Sequence, residues 1–599
     1  MKWMRYLALF GLLIVGPFML TACSDDDNEG TDIPDPPAAP TGLSLTVSGQ
    51  TIQADWNAAT GADSYNAVLT TAGESDRTEA GLGSPSVSFS NLTPATTYFL
   101  QVTAQNDGGV SQPATASAMT EAEPETVVQV TGDILTNTTW TSDKTWVLNQ
   151  PIFVGKDCGP DGADPECVEV TLTIEPGTTV VGKTDLPQGV RGAYLVVSRG
   201  SRLVADATGE ARAPTEDEVI VFTSDNPRGS RAVEDWGGLV INGQAPTNAG
   251  DEAQGEGDSG FYGGEDVNDD SGILRGVRIE FAGDDVTPVD QLNGLALQGV
   301  GAGTTISYVQ IHYNKDDGIE PFGGTVSVDH LVVTGIGDDS VDGTDGYRGF
   351  MQFIIGQQRG ADADQGFEIS NNGDDGDATP QSTAVLANAT MIGANDAVVS
   401  GDIAGDESDD AIQMREGTNY RVYNSIFQGF GNSGFCIRDA VSILNAQNRI
   451  AGQTDPTATL SAEGLIMWSN GGAAGGTDAN FNDCGGGSTQ ALNKQFFETD
   501  GFNNMLADPG FDASAFDMGS ASSPPNFTLT AMPEGYTAFD LSGIAFDDNL
   551  IAPVDGRTLV ETDYAGAIAP GTALADAWYN GWTVWTEGGS DSRPNSQGN

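Results

Sequence analysis

From residue 38 onward, apolar and polar residues alternate in short runs separated by Gly, Asn, Asp and Pro. Alternation with a period of two turns one face of an extended strand toward a core and the other away from it. No amphipathic helical pattern persists after Val127. The pattern predicts an all-β chain, and it changes character near residue 120.

In "APTGLSLTVSGQTIQADWNAATGADSYNAVLTTAG" and "NLTPATTYFLQVTAQN" the runs are bounded by turn residues, as in antiparallel strands buried on one face. With Pro40 and Leu43 at the entry, Trp56, Tyr65, Leu92 and Tyr98, this stretch resembles a fibronectin type III domain over residues 38–120. The resemblance implies a β-sandwich with Tyr98 as its corner tyrosine, tying down the preceding turn. Such modules act as spacers or adhesive units. "TEAEPETV" reads as a linker, assigned to 121–127.

Beyond it the chain repeats itself. "GVRIEFAGDDVTPVD", "YVQIHYNKDDGIEPF" and "HLVVTGIGDDSVDGT" align on the pairs Asp284/Asp285, Asp316/Asp317 and Asp338/Asp339, separated by 32 and then 22 positions. Looser copies follow at "NATMIGANDAVVSGD" and "YNSIFQGFGNSGFCI". A coil of this length with insertions suits a right-handed parallel β-helix over residues 128–590, leaving 591–599 as a disordered tail. By the period of two, Val277, Ile279, Phe281, Val309, Ile311 and Tyr313 should fill the bore, while Arg278, Gln310 and His312 should form an outward wall suited to binding.

"EDWGGLVINGQAPTN", the stretch 274–326 and "TDYAGAIAPGTALADAWYNGWTVW" resemble a group of secreted or lipid-anchored bacterial β-helix proteins. In the last of these, Trp578, Trp582 and Trp585 are expected to cover the open end of the coil. The architecture also resembles that of pectate lyases and polygalacturonases, which implies a rival, enzymatic reading.

At the other end, the apolar run Leu7–Leu20 follows Lys2 and Arg5 and is about fourteen residues long, against roughly 20 for a spanning helix. It reads as a signal peptide, 1–22. Leu20, Thr21, Ala22 and Cys23 resemble the lipobox of bacterial lipoproteins, which implies lipidation of Cys23. Residues 23–37, acidic and then Pro-rich, read as an extended tether. The expected location is the outer membrane, lipid-anchored and facing the cell exterior. A formal net charge of −61 excludes nucleic acid as a plausible partner.

Four cysteines remain once Cys23 is lipidated. In an oxidising compartment they are paired as Cys158–Cys167 and Cys436–Cys484. Zinc is the rival use, weakened by the lack of a CxxC and by the distance in sequence to His312 and His330.

The stacked acids carry the sharpest chemistry. Two carboxylates about 5 Å apart repel by roughly 3 kcal/mol at an effective dielectric of 20, so stacked Asp pairs need relief. Calcium is the candidate cofactor, with Asp316, Asp317, Asp338, Asp339, Asp342 and Asp345 as ligands. The competing use is turn-capping Asp. No organic cofactor is indicated. As catalysts, Asp338 and Asp339 are the candidate acid and base of a calcium-assisted polysaccharide lyase or glycoside hydrolase. That family's Gly-His-Gly and Arg-Ile-Lys signatures are absent from this sequence. The leading expectation is a noncatalytic surface protein that binds an extracellular glycan or a partner envelope protein.

Overall fold

The computed structural model describes residues 34–120, 126–186, 192–287, 290–359, 363–394, 408–472, 474–516 and 524–586. Cys23, the signal segment, most of the tether, residues 121–125 of the linker and the C-terminal tail lie outside the described residues. The chain divides into two compact units, Met1–Pro124 and Glu125–Asn599.

In the first unit, strands Thr41–Ser48, Thr51–Asn57 and Ser86–Phe89 form one antiparallel sheet. The other is built around Ser64–Thr70 and Thr97–Asn106. Trp56 and Tyr65 meet edge to face at 5.4 Å between them. Tyr98 is buried, and its hydroxyl accepts the Thr93 N–H at 3.0 Å and donates to Glu74. Tyr98→Phe keeps the packing but leaves that N–H unpaired. It is expected to destabilise this unit by about 1 kcal/mol, measured from its urea unfolding transition.

The second unit is a parallel coil. Leu295, Ile319, Val341, Phe367 and Ile412 stack in register along a nine-stranded sheet. On the larger 17-stranded sheet, Val277, Val309, Leu331, Ile354 and Ala389 stack likewise. Both rows fill one apolar bore, fully removed from solvent apart from a trace at Val341. Strand Thr126–Val130 already pairs with the coil, so the linker ends before residue 126.

Long strands of the larger sheet bend at a left-handed residue: Gly276, Tyr308, His330, Phe353 and Asn388, with φ from 52 to 69°. The register skips each of them, so every turn bends at the same place. Left-handed backbone is unfavourable for aromatic residues. Here the side chains it throws outward stack: Tyr308 lies 4.3 Å from His330, and His330 5.0 Å from Phe353.

A second left-handed position corrects the expected bore. Phe281 and Tyr313, with φ of 60 and 58°, leave the alternation and pack outside with Val332, Ile355 and Trp585. Two helices, Ala440–Ile450 and Gln490–Phe497, also depart from the expected all-strand body. They are capped by the side chains of Asp439 and Thr489. Their short length left little periodicity to read.

The C-terminal segment, residues 524–586, lies back along the outer wall as a strap. Side-chain amides of the wall grip its backbone as a neighbouring strand would. Gln310 bonds both N and O of Val584, at 2.9 and 2.6 Å. Gln352 does the same to Val560, at 2.8 and 2.7 Å, and Asn424 to Phe539, at 2.7 and 3.0 Å. The three tryptophans are therefore not an end cap. Trp582 is buried against Val219, Val221 and Tyr308, and Trp585 against Phe527 and Tyr579. The bore of the last turns is filled by phenylalanines, among them Phe435, Phe481, Phe496 and Phe502.

Candidate functional site

Arg278, Gln310 and His312 do point away from the bore, but they are fully buried. Arg278 donates to the Trp582 carbonyl at 2.8 Å, and His312 Nε2 lies 3.3 Å from that of Thr586. Burial pushes the His312 pKa down to about 3, so the ring is neutral. The expected binding wall is thus the seat of the strap. Its outward row was legible, but what covers it comes from more than 270 residues away.

The acids converge on the other sheet. On the outward side of the nine-stranded sheet, Glu320, Asp342 and Glu368 occupy the same position in three successive turns, followed by Gln413. At parallel-strand spacing these side chains stand about 4.8 Å apart. Just before each strand runs a second ladder. Asp317 Oδ1 accepts the Asp339 N–H at 3.0 Å, Asp339 Oδ1 accepts that of Gln365 at 2.6 Å, and Gln365 Oε1 that of Asp410 at 2.9 Å.

Carboxylate oxygens of Asp317, Glu320 and Asp342 lie within 4.8 Å of one another, as do those of Asp316, Asp317 and Asp338 and those of Asp338, Asp339 and Asp364. Of the six expected cation ligands, the fold brings together Asp316, Asp317, Asp338, Asp339 and Asp342. Asp345 belongs to none of these three groups and accepts the Tyr262 hydroxyl at 3.0 Å. Glu320, Glu368, Asp364 and Asp410 were missed. The signal for Glu320, Glu368 and Asp410 is nevertheless in the chain: "NGLA", "DGIE", "DSVD", "QGFE" and "DAIQ", beginning at 293, 317, 339, 365 and 410, are one tetrapeptide pattern, and Asp364 stands just before the fourth copy. The variable spacing between copies hid it.

Counter-charge is sparse. Arg415 pairs with Glu368 at 2.5 Å. Asn293, fully buried, donates to Glu320 and Glu256 at 2.7 and 2.9 Å. Its Oδ1 has no partner among the described residues. Burial first, and then neighbouring like charge, raises Asp317, Glu320 and Asp339 well above the usual carboxylate range. Burial also lifts Asp342 to about 6, and Glu368 and Asp410 to about 8. Glu320 and Asp342 share a hydrogen bond, which requires a proton on one of them. Such an array either holds protons or accepts a hard cation.

A family model described as a pectate-lyase-like β-helix domain matches residues 132–463, more than half of the chain. The chain belongs to that β-helix family. A fibronectin type III model matches residues 38–120. Solved structures similar to the first unit include the chicken CNTN1 FN1-FN3 domains, at 23% identity and TM-score 0.13, covering 14% of this chain and 30% of that one. A Fn3-like protein from Clostridium thermocellum is 29% identical, with TM-score 0.13, 14% of this chain and 92% of that one. The fn3 domain of the human collagen alpha-1(XX) chain is 25% identical, with TM-score 0.14, 16% of this chain and 96% of that one. The chain thus spans less than a third of the chicken protein fragment. No curated protein matches. Within this β-helix family member, both cysteine pairs form disulfides, Cys158–Cys167 and Cys436–Cys484.

The geometry bears on the hydrolase reading too. Asp339 is buried, and one of its oxygens serves as a rung of the ladder. One oxygen of Asp338 and one of Asp339 lie within 4.8 Å of each other, closer than the roughly 6.5–9.5 Å that admits a water between inverting carboxylates and near the roughly 5 Å of retaining pairs.

Proposed function

We propose that this chain is a noncatalytic surface-binding protein, held at the outer membrane by a lipid on Cys23 and facing the cell exterior. Its β-helix would bind an extracellular glycan or a partner envelope protein. Calcium held by the carboxylate array would stabilise that body. The fibronectin type III and β-helix domains together fit a surface binding or glycan-related protein. The observation that carries the noncatalytic reading is that Asp339 is buried and its Oδ1 is tied to the Gln365 N–H as a structural rung. Calcium is supported by the convergent oxygens and by the unpartnered Asn293 Oδ1 beside them, since this ion takes six to eight oxygens in flexible geometry.

The test incubates the full chain with acidic and neutral polysaccharides, with calcium or with chelator, and follows retention together with reducing ends and unsaturated products. Saturable retention without product is expected. Calcium-dependent product that disappears in Asp338→Asn/Asp339→Asn would replace this reading with the lyase or hydrolase. Separately, Cys23→Ser is expected to move the protein from the membrane fraction to the soluble one. Unchanged membrane retention of Cys23→Ser would sink the lipid tether.

A further inference from the structure

Toward the C-terminal turns, the outer wall carries a cavity of about 250 Å³. Strand Arg421–Tyr423 and the paired Ser461 and Glu463 of the next turn line one side, and strap residues including Phe539 and Asp547 line the other. Tyr423 and Phe539 stack at 4.0 Å and 6°, giving it a flat apolar wall. Arg421 donates through Nε and Nη2 to the Thr383 carbonyl, at 3.1 and 2.6 Å. Among the described residues its Nη1 has no hydrogen-bond partner, and no carboxylate forms an ion pair with it.

Both acids at the cavity are otherwise engaged. Glu463 is paired with Arg449, and Asp547 Oδ1 accepts the N–H of Asn549 at 2.8 Å. Burial lowers the pKa of Arg421 against the opposing pull of Tyr423 and Asp547, so its compensation is incomplete. A guanidinium does not give up its proton in a protein, so its desolvation is offset only by an anion or by further acceptors. In a chain of net charge −61, a cation facing a cavity with no carboxylate in contact with it runs against the surface around it.

We propose that this cavity binds a small carboxylate-bearing ligand, about the size of a monosaccharide or an amino acid, through the open edge of Arg421. The planar Nη1/Nη2 edge matches the two oxygens of a carboxylate. A dianion such as phosphate is disfavoured, because the second arginine at the cavity, Arg449, is already paired with Glu463, and Asp547 lines the same space. The apolar wall takes the face of the ligand away from its charge. This site is separate from the carboxylate array and does not depend on calcium or on the lipid.

Isothermal titration of the full chain with sodium glucuronate, N-acetylglycine, glucose and inorganic phosphate tests it. One-to-one binding of at least one carboxylate is expected, with none of glucose or phosphate. Binding of glucuronate alone identifies a sugar acid as the source, and binding of N-acetylglycine alone an amino-acid-type carboxylate. Arg421→Lys keeps the charge but loses the fork, and it should weaken binding by about tenfold or more. If Arg421→Lys does not fold, Ala545→Trp, which fills the cavity from the strap, is expected to abolish binding. Failure of both carboxylates to bind at millimolar concentration, preference for phosphate, or full affinity in the variant that folds would overturn the proposal.

Discussion

Arg278→Met is expected to cost the β-helix about 3–5 kcal/mol, the penalty for removing one partner of a buried ion pair. Arg278 and Glu280 are both fully buried and meet at 2.9 Å. Arg278 also pairs with Glu216 at 2.7 Å and holds the Trp582 carbonyl. Methionine fills much of the volume and leaves the Glu280 charge stranded. Arg278→Met/Glu280→Gln should recover part of the loss, because the buried Glu280 charge is then gone, although the nearby buried Arg231 loses that charge as well. Urea unfolding of the full chain measures both variants. Limited proteolysis reports on the strap, with faster cleavage between residues 560 and 586 expected in the single variant. A loss below about 1 kcal/mol, the range of exposed ion pairs, would mean that water reaches this site.

The second large effect is a dependence of stability on pH that calcium reduces. Burial raises Glu368 and Asp410 to about 8 and Asp342 to about 6, while unfolded carboxyls titrate near 4. Between those values the folded chain binds more protons than the unfolded one, so stability falls as pH rises. The loss begins above about pH 4 and is complete once pH passes the folded value of about 8, at a cost on the order of a few kcal/mol for Glu368. In chelator, the melting temperature should therefore drop from pH 5.5 to 8.5. With millimolar calcium the drop should shrink by the share of Asp342 and the acids grouped with it, since the ion supplies the charge that their protons supplied, and the share of Glu368 and Asp410 should remain. Glu368→Gln should make the chelator curve shallower, leaving the part due to Asp410 and Asp342. Superimposable curves with and without calcium would remove the ion from the array.

Period-two alternation and the recurring acids determined much of this molecule by themselves. The sandwich with Tyr98 at its corner, the parallel coil, the bore positions Val277, Ile279, Val309 and Ile311 and the Cys158–Cys167 disulfide are consequences of local spacing, whereas Cys436–Cys484 follows only from pairing the cysteines that remain. So is the meeting of Asp317, Asp339 and Asp342, because stacking repeats in register brings equivalent positions together. Only the tertiary structure decided what lies on the outside of the coil. Alternation says that Gln310 faces away from the bore, but the strap that buries it arrives from the far end of the chain. Nor does local pattern reveal that a left-handed bend ejects Tyr313, or that Arg421 opens into a cavity while Arg278 is sealed. Alternation sorts in from out within one strand. Burial of the outer face depends on which distant backbone finds hydrogen-bonding partners there, and no local period encodes that.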